Sequence, residues 1–514
     1  MHRCEAGVRH LMRIRVCWCF LLAMLGVPAF GKLPQALWVV EPSAWSHSEQ
    51  TLVATLQGLV AQSEAPIWIN EPNGMHEVVL AELVKEGVSL RSTDDPWRLL
   101  RECREAIQGY VVYESSGDSI NTATSLCGVE RAVAVTPDLV EKAQLAGLRE
   151  VADARGMTAM EAFEKHSGSW SKRKLAVQEK GKHRHLRDWV VAEKAFCYHG
   201  LSKRDRARVH GMMEPNHWVL GWDGEHDFVR EVSSLGGLVL PADWSLNLSV
   251  TSRLAVALPG RLDSKFRPAK PGERIVAFVM SDGDNVQWMG GPFVKRTGFW
   301  ASPLRGRFPM TWEVPPLLGE LNPRALRHFY RTASPGTATD DFVAGPSGAG
   351  YVFAHHQKSP VSFAAYTGKL MQRTHLRLTT MLNSGGSMKE CEAMLNRPEI
   401  DGVLYKGWLY DSEKGRIYWH NDKPCVSYRY LLWEPHRDKS PEGVAKAIAT
   451  LPNDPTTDSG SYVLINAHAW SFKDIGGPME AIRRTIALLP PGTRVVTAND
   501  LVRLLRHHRA GLQE

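Results

Sequence analysis

The sequence predicts an α/β protein, with an N-terminal α/β region followed by a C-terminal (β/α)7–8, TIM-like barrel. Three observations predict it. Short apolar runs alternate with amphipathic helical patterns along the chain, as in successive βα units. From Glu273 onward the alternation becomes regular, giving seven or eight units over about 240 residues, the length scale of such a barrel. Acidic and aromatic residues recur just past the apolar runs, at the strand ends where α/β barrels keep their chemistry. A doubly wound open sheet is the competing arrangement.

Taken in order, the chain begins with Arg3, Arg9, Arg13 and Arg15 ahead of an apolar stretch from Val16 to Val27, followed by Ala29-Phe30-Gly31. This is the layout of a secretory signal peptide over residues 1–31, cleaved near Gly31/Lys32, with Met12 an alternative start. The run is short for a membrane span and no later segment is long enough, so a secreted or periplasmic protein without an integral span is expected. In the N-terminal α/β region, 32–265, Ala36–Val40 and Pro66–Asn70 read as strands flanking a helix. That helix carries Leu52, Val53, Leu56, Leu59 and Val60 on one face, and Ser46-His47-Ser48-Glu49 matches a capping box at its start. Gly109–Tyr113, Ala132–Val135, Trp218–Trp222 and Gly237–Leu240 continue as strands of small parallel layers. The stretch 155–210 reads as mostly helical and charged, a connecting subdomain. Within it, the basic run Lys172 to Arg187 reads as a solvated helix face or loop. Arg267-Pro268-Ala269-Lys270-Pro271-Gly272 is a linker by its Pro/Gly punctuation.

The C-terminal region, 272–514, offers strands at Ile275–Met280, Met310–Glu313, Asp341–Val343, Leu376–Met381, Gly402–Lys406, Val426–Leu432, Tyr462–Asn466 and Arg494–Thr497. Helices intervene at Pro316–Ala333, Ser362–Arg373, Met388–Leu395, Pro441–Leu451 and Met479–Leu489.

Composition bounds the function. Hydrophobic residues make up 43% and charged residues 23%, as in a folded globular chain. Without residues 1–31 the balance is 58 basic to 54 acidic, or +4, too weak a field for a nucleic-acid partner. Five cysteines remain after the leader: Cys103, Cys127, Cys197, Cys391 and Cys425. With no C-x-x-C among them they support neither a zinc site nor a dense disulfide framework, though one bridge, Cys103–Cys127, is open.

The strand-end rule selects the candidate chemistry. Asp282, Asp284 and Asn285 follow the first barrel strand, and Glu313 ends the second. Lys406 and Trp408 end the fifth, Trp433 and Glu434 the sixth, and His468 and Trp470 the seventh. Paired carboxyl groups suit glycoside cleavage, where one protonates the leaving oxygen and the other serves as nucleophile or base. Tryptophan faces suit the apolar C–H face of a sugar ring. Each residue also has a structural reading. Asp282 or Asp284 caps the next helix, Glu313 stabilises a helix start, and Glu434 pairs with Arg437 on the surface. Lys406 neutralises a buried acid, His468 is a hydrogen-bonded core histidine, and the tryptophans are core. Asp282-Gly283-Asp284 also resembles the paired aspartates of polysaccharide deacetylases. No H-x-x-x-H or H-x-x-x-x-H follows to complete such a metal site, and the adjacent His355 and His356 are expected to diverge.

Four ordered segments carry a family resemblance. They are Ser281-Asp282-Gly283-Asp284-Asn285, Thr311-Trp312-Glu313-Val314-Pro315, the run Asp341 to Tyr351 ending in Gly348-Ala349-Gly350-Tyr351, and His468-Ala469-Trp470. With them the chain resembles the GxGYxYP family of glycoside hydrolase-like proteins, departing from its motif where Phe353 replaces the second Tyr and Ala354 the Pro. The resemblance implies a secreted bacterial protein whose C-terminal barrel acts on a carbohydrate. Asp282, Asp284, Glu313 and Glu434 are then the candidate catalytic carboxyls. Asn285, Gly348, Gly350, Tyr351, Lys406, Trp408, His468 and Trp470 would bind substrate, with no cofactor or metal called for. A non-catalytic carbohydrate-binding or cell-surface protein and a metal-dependent deacetylase are the alternatives.

Overall fold

A helix between two strands returns the chain to the same end of a sheet, so βα repeats pair in parallel. The N-terminal region does this in three small sheets. In the computed structural model, which describes residues 33–512 apart from 73, 116, 225, 261–265, 337–338, 408–412 and 435, the first contains β1 (Ala36–Val40), β2 (Ile67–Ile69) and β3 (Ser89–Ser92), ordered β2-β1-β3. The second contains β4 (Gly109–Val112), β5 (Ala132–Val135) and β6 (Glu150–Asp153), ordered β5-β4-β6. The third contains β7 (Lys174–Val177), β8 (Phe196–Tyr198), β9 (His217–Gly221) and β10 (Gly237–Leu240), ordered β10-β9-β7-β8. The signal segment expected at 1–31 lies outside the described residues. Among the described residues no helix is long and apolar enough to cross a membrane.

The expected helix after Ser46 spans His47–Val60, and its capping box forms: Glu49 N–H donates to Ser46 Oγ, and the Glu49 carboxylate accepts from Ser46 N–H. The stretch 155–210 is not the charged helical connector expected. It supplies β7 and β8, with the helix Arg187–Glu193 packed against the helix His47–Val60. The run Lys172 to Arg187 is not a solvated face either, because Lys182, His185 and Arg187 are buried. Arg187 donates to the carbonyl of Lys182 and to the side chains of Asn121 and Thr124, which is how its cation is accommodated inside. All five cysteines are free thiols, so the Cys103–Cys127 bridge does not form.

The C-terminal region forms one large curled, mostly parallel sheet. Its strands are β11 (Arg274–Met280), β12 (Met310–Val314), β13 (Asp340–Ala344), β14 (Leu378–Asn383), β15 (Gly402–Gly407), β16 (Ile417–His420), β17 (Lys423–Ser427), β18 (Tyr430–Leu432), β19 (Tyr462–Ala467) and β20 (Thr493–Val496). The order is β16-β17-β15-β14-β13-β12-β11-β19-β18, with β20 added to the start of β11. The antiparallel hairpin β16–β17 was not anticipated. The segment expected as a single strand, Val426–Leu432, divides between two partners. Tyr428 N–H donates to the carbonyl of Tyr405 at 2.9 Å, and Arg429 N–H to that of Leu464 at 2.9 Å, drawing β15 and β19 towards each other.

Period-two alternation sorts each strand's residues between two sides. Ile275, Ala277, Val279, Val343, Leu378, Leu404, Val426 and Leu464 share a core with the C-terminal helix Ala498–His508. The other parity, including Val276, Phe278 and Met280, belongs to a larger core. That core extends into the N-terminal region through Leu37, Trp68, Leu220 and Leu238, so the two regions share buried apolar surface. A buried Arg324 reinforces the junction, pairing at 3.5 Å with Glu82 on the helix Met75–Lys85 and at 2.6 Å with Glu86, which caps its C-terminus.

The loop after β13 makes the closest joint. Tyr351 N–H donates to the Val239 carbonyl at 2.9 Å, and Val239 N–H donates back at 3.1 Å, so the loop pairs with edge strand β10. Gly350 permits it: a Cβ there would lie 2.6 Å from Leu238 Cδ1 and 3.0 Å from the Val239 oxygen. Gly350→Ala is therefore expected to lower unfolding free energy by about 1–3 kcal/mol through overpacking. Gly168→Ala, where a Cβ meets nothing within 4 Å, should stay within about 0.5 kcal/mol. Equal denaturant midpoints for the two variants would refute this account of the joint.

Candidate active site

Strands of one parallel sheet all point their C-terminal ends the same way, so side chains at those ends converge. Here a cavity of about 410 Å³ opens at the ends of β9 and β10 on one side and of β11 to β15, β18 and β19 on the other. Of the residues expected from sequence, Asp282, Asp284, Asn285, Glu313, Tyr351, Lys406, His468 and Trp470 line it together. Trp408 lies outside the described residues.

Three expected residues are elsewhere. Glu434 lines a separate cleft with His436, Arg437 and Arg484, and accepts the backbone N–H of Phe472. The turn at β18 points Trp433 into the cavity and leaves its neighbour outside. Gly348 adopts a φ of 81° with Thr367 and Met394 beside it, and Gly350 backs onto β10, so both glycines serve packing. Phe353 is fully buried behind Tyr351, meeting its ring edge-on at 5.7 Å, and does not itself line the cavity. His355 and His356 do not diverge: a short turn brings their rings to 3.8 Å. Among the described residues no three His, Cys, Asp or Glu side chains form a group able to hold a metal ion.

Glu313 sits in β12 on the same parity as Thr311, and is buried. Two glycines make room for it. A Cβ on Gly283 would fall 2.1 Å from the Glu313 backbone, and one on Gly345 would fall 2.7 Å from its carboxyl carbon. Burial pushes the Glu313 carboxyl up to about 7. Lys406 and a hydrogen bond with Thr380 pull the other way, while Asp282 adds to the rise. One Glu313 oxygen, Oε2, has no hydrogen-bond partner in the protein.

Asp284 is also buried, and desolvation pushes its carboxyl well above the ordinary range, with Asp282 and Glu313 raising it further. Asp282, two residues past β11, has a φ of 65°, a left-handed conformation rare for a residue with a Cβ and a mark of local strain. The Ser281 hydroxyl donates to the Asp282 carboxylate and accepts from Ala469 N–H, linking β11 to the loop after β19. The helix cap expected of an aspartate falls to Asn285, whose Oδ1 accepts from Trp288 N–H at 3.0 Å. His468 stacks on Trp433 with ring centroids 4.7 Å apart and bonds Ser471 Oγ through Nδ1 at 2.8 Å. Burial lowers its pKa, opposed by Asp282.

The sequence reading missed the far wall. Trp222, Pro241, Asp243 and Trp244 enter the cavity from the third N-terminal sheet, and Gln287, Thr380 and Leu382 join them from the curled sheet; Ser281, within a family segment, and Trp433, expected at a strand end, line it too. Trp222 stacks on Tyr351 at 6.3 Å with an interplanar angle of 17°. The signal was present, because Trp222 closes one strand expected from the sequence, Trp218–Trp222, and Pro241 to Trp244 directly follow another, Gly237–Leu240.

Three small parallel sheets joined to one curled sheet over an acidic cavity edged by tryptophan define the class of protein. The chain belongs to the GxGYxYP family. The description "GxGYxYP putative glycoside hydrolase C-terminal domain" matches residues 273–506, the second N-terminal domain matches 107–170 and the third matches 173–253. A solved structure described as a putative hydrolase from Bacteroides thetaiotaomicron is 26% identical, covers 93% of this chain and 96% of its own, and superimposes with a TM-score of 0.83. A structure described as a putative polysaccharide deacetylase from Mycobacterium smegmatis reaches a TM-score of only 0.27 at 15% identity, over 48% of this chain and 96% of its own. No curated protein matches the chain.

Because Glu313 holds its proton more tightly folded than unfolded, the native chain keeps a proton between about pH 4.5 and 7 that the unfolded chain has released. The stability that this group contributes is present at the acid end and lost as pH rises through about 7. Glu313→Gln removes the titration. Its thermal midpoint relative to the wild type is expected to improve from about pH 4.5 to pH 7 and to level off above that. A difference that does not vary with pH would show that Glu313 is not buried as described.

Proposed function

We propose that this chain is an exported glycoside hydrolase in which Glu313 is the general acid and Asp282 the second carboxylate. One observation carries the reading: a buried carboxyl held near pH 7 shares a cavity with a second carboxylate under a rim of tryptophans. Cleavage needs two carboxyl groups in different protonation states, and environments that push them apart assign the roles. Glu313 would give its proton to the glycosidic oxygen as the C–O bond breaks. Asp282 would face the positive charge growing at the anomeric carbon, as nucleophile or as base for water. Asp284, kept neutral by burial and by its two acidic neighbours, is a positioning residue, and Lys406 limits how far Glu313 rises. Trp433, Trp470 and Trp222 offer ring faces to a sugar. The family description and the hydrolase-like neighbour support the same reading.

In this proposal the curled sheet works as a seven-stranded (β/α) barrel. The segment 423–432 counts as one strand that pairs first with β15 and then with β19, and β20 is an addition at the base.

Glu313→Gln should reduce kcat by roughly 10²–10⁴ on a cleavable glycoside and abolish the fall in kcat/KM that the wild type shows above about pH 7. Glu434→Gln should leave both unchanged. Wild-type rates in Glu313→Gln and Asp282→Asn would refute the glycosidase assignment, and loss of that persisting activity on chelation would favour the deacetylase. Export is checked separately by N-terminal sequencing of the protein recovered outside the cytoplasm. A chain starting near Lys32 is expected, and an intact Met1 or Met12 terminus would overturn the leader.

A further inference from the structure

The curled sheet supplies the acids, yet much of the opposite wall comes from the loop that follows β10. Asp243 and Trp244 stand there, and neither is needed for the proton transfer assigned above. Their surroundings are built rather than incidental. Gln178 Nε2 donates to the carbonyl of Asp243 at 3.0 Å and to that of His185 at 2.8 Å, fixing the loop from below. Gln287 Oε1 accepts from Trp244 N–H at 2.6 Å, tying the loop to the helix after Asn285.

The Asp243 side chain is only 9% exposed, although it lines the cavity. Lys182 binds its Oδ2, and the lysine also approaches Glu179 at 3.4 Å. Oδ1 has no hydrogen-bond partner in the protein. A buried acceptor left unmet is costly, so its retention at a cavity wall points to a donor brought by a ligand. Beside it Trp244 is 58% exposed, a large indole held outward. Lys182 Nζ lies 4.6 Å from its ring centroid and the His185 ring meets it edge-on at 5.0 Å. Lysine and histidine thus brace the indole while more than half of it stays exposed.

We propose that Asp243 and Trp244 form a second sugar subsite, so that the ligand is a neutral oligosaccharide whose outer ring lies on Trp244 and donates hydroxyl hydrogen bonds to Asp243. The inference rests on the carbohydrate reading of the cavity but not on catalysis. A neutral ring is favoured over an amino sugar because Lys182 already balances the Asp243 charge and would repel a second cation placed beside it. The N-terminal region is then a specificity element: the curled sheet cleaves or grips one ring, and the loop after β10 measures the next.

The test is binding to the full-length chain, followed by tryptophan fluorescence. The probes are neutral hexose and pentose oligosaccharides of one to four rings, α- and β-linked, with glucosamine oligomers as the charged comparison. The wild type is expected to bind some neutral member at least tenfold more tightly with two or more rings than with one. Asp243→Asn and Trp244→Ala should each remove that gain, about tenfold in Kd, and leave single-ring affinity within about twofold. Trp244→Ala alters an exposed side chain, so it stays informative if Asp243→Asn unfolds. Three results would overturn the subsite: no length dependence in the wild type, no neutral sugar bound at millimolar concentration, or tighter binding of the glucosamine series. Length-dependent binding without turnover would remove the glycosidase reading and leave the subsite standing.

Discussion

The backbone pairing of Tyr351 with Val239 is the constraint on which the rest of the molecule depends. β10 is the edge of the third sheet, and an edge strand presents unpaired N–H and C=O groups that must find partners. The loop after β13 provides them through two hydrogen bonds, at 2.9 and 3.1 Å. Glycine at 350 is required because the two backbones approach too closely for a Cβ. The glycine-rich motif is thus an interdomain joint. By fixing β10 against the curled sheet, it places Asp243 and Trp244 opposite Glu313 and Asp282 and creates a cavity that neither region has alone. Tyr351 lines that cavity as a consequence, stacked on Trp222.

The acidic end of the cavity works against stability. Glu313 and Asp284 are buried beside Asp282, and burial and mutual repulsion hold both in the neutral form more strongly than water would. Gly283 and Gly345 contribute nothing to the core themselves; they clear the space that a carboxyl needs between two strands. Asp282 holds a backbone conformation that most residues avoid. A fold selected only for stability would fill this volume with apolar side chains. Strain, burial and like charge are gathered at one strand end, a clustering that supports the site proposed above.

Much of this was legible in the sequence because strand ends are. An apolar run of six or seven residues, as at Ile275–Met280, marks a buried strand, and the next polar residues must emerge at its C-terminal end. This strand-end pattern places eight residues, Trp433 among them, in one cavity. It failed at Glu434, where the strand is only Tyr430–Leu432 and one residue of uncertainty in its end exchanges Trp433 for Glu434. It failed again over 155–210, where β7 and β8 are just four and three residues long and basic residues surround them. Charge there suggested solvent, but Arg187 is buried because carbonyl and side-chain acceptors from two segments converge on its guanidinium.

The sequence by itself determined the alternation of strands and helices, the family, and which residues could emerge at strand ends, because these follow from local periodicity and short motifs. Only the tertiary structure decided that the glycines of the motif face β10 and that the far wall of the cavity comes from a segment some forty residues before the first acid. It alone set Glu313 near pH 7, since that value depends on burial and on the charges of Lys406 and Asp282. Contacts across such separations leave no periodic trace in the chain. They arise when an edge strand and a loop satisfy each other's hydrogen bonds, and that is settled only once both are in place.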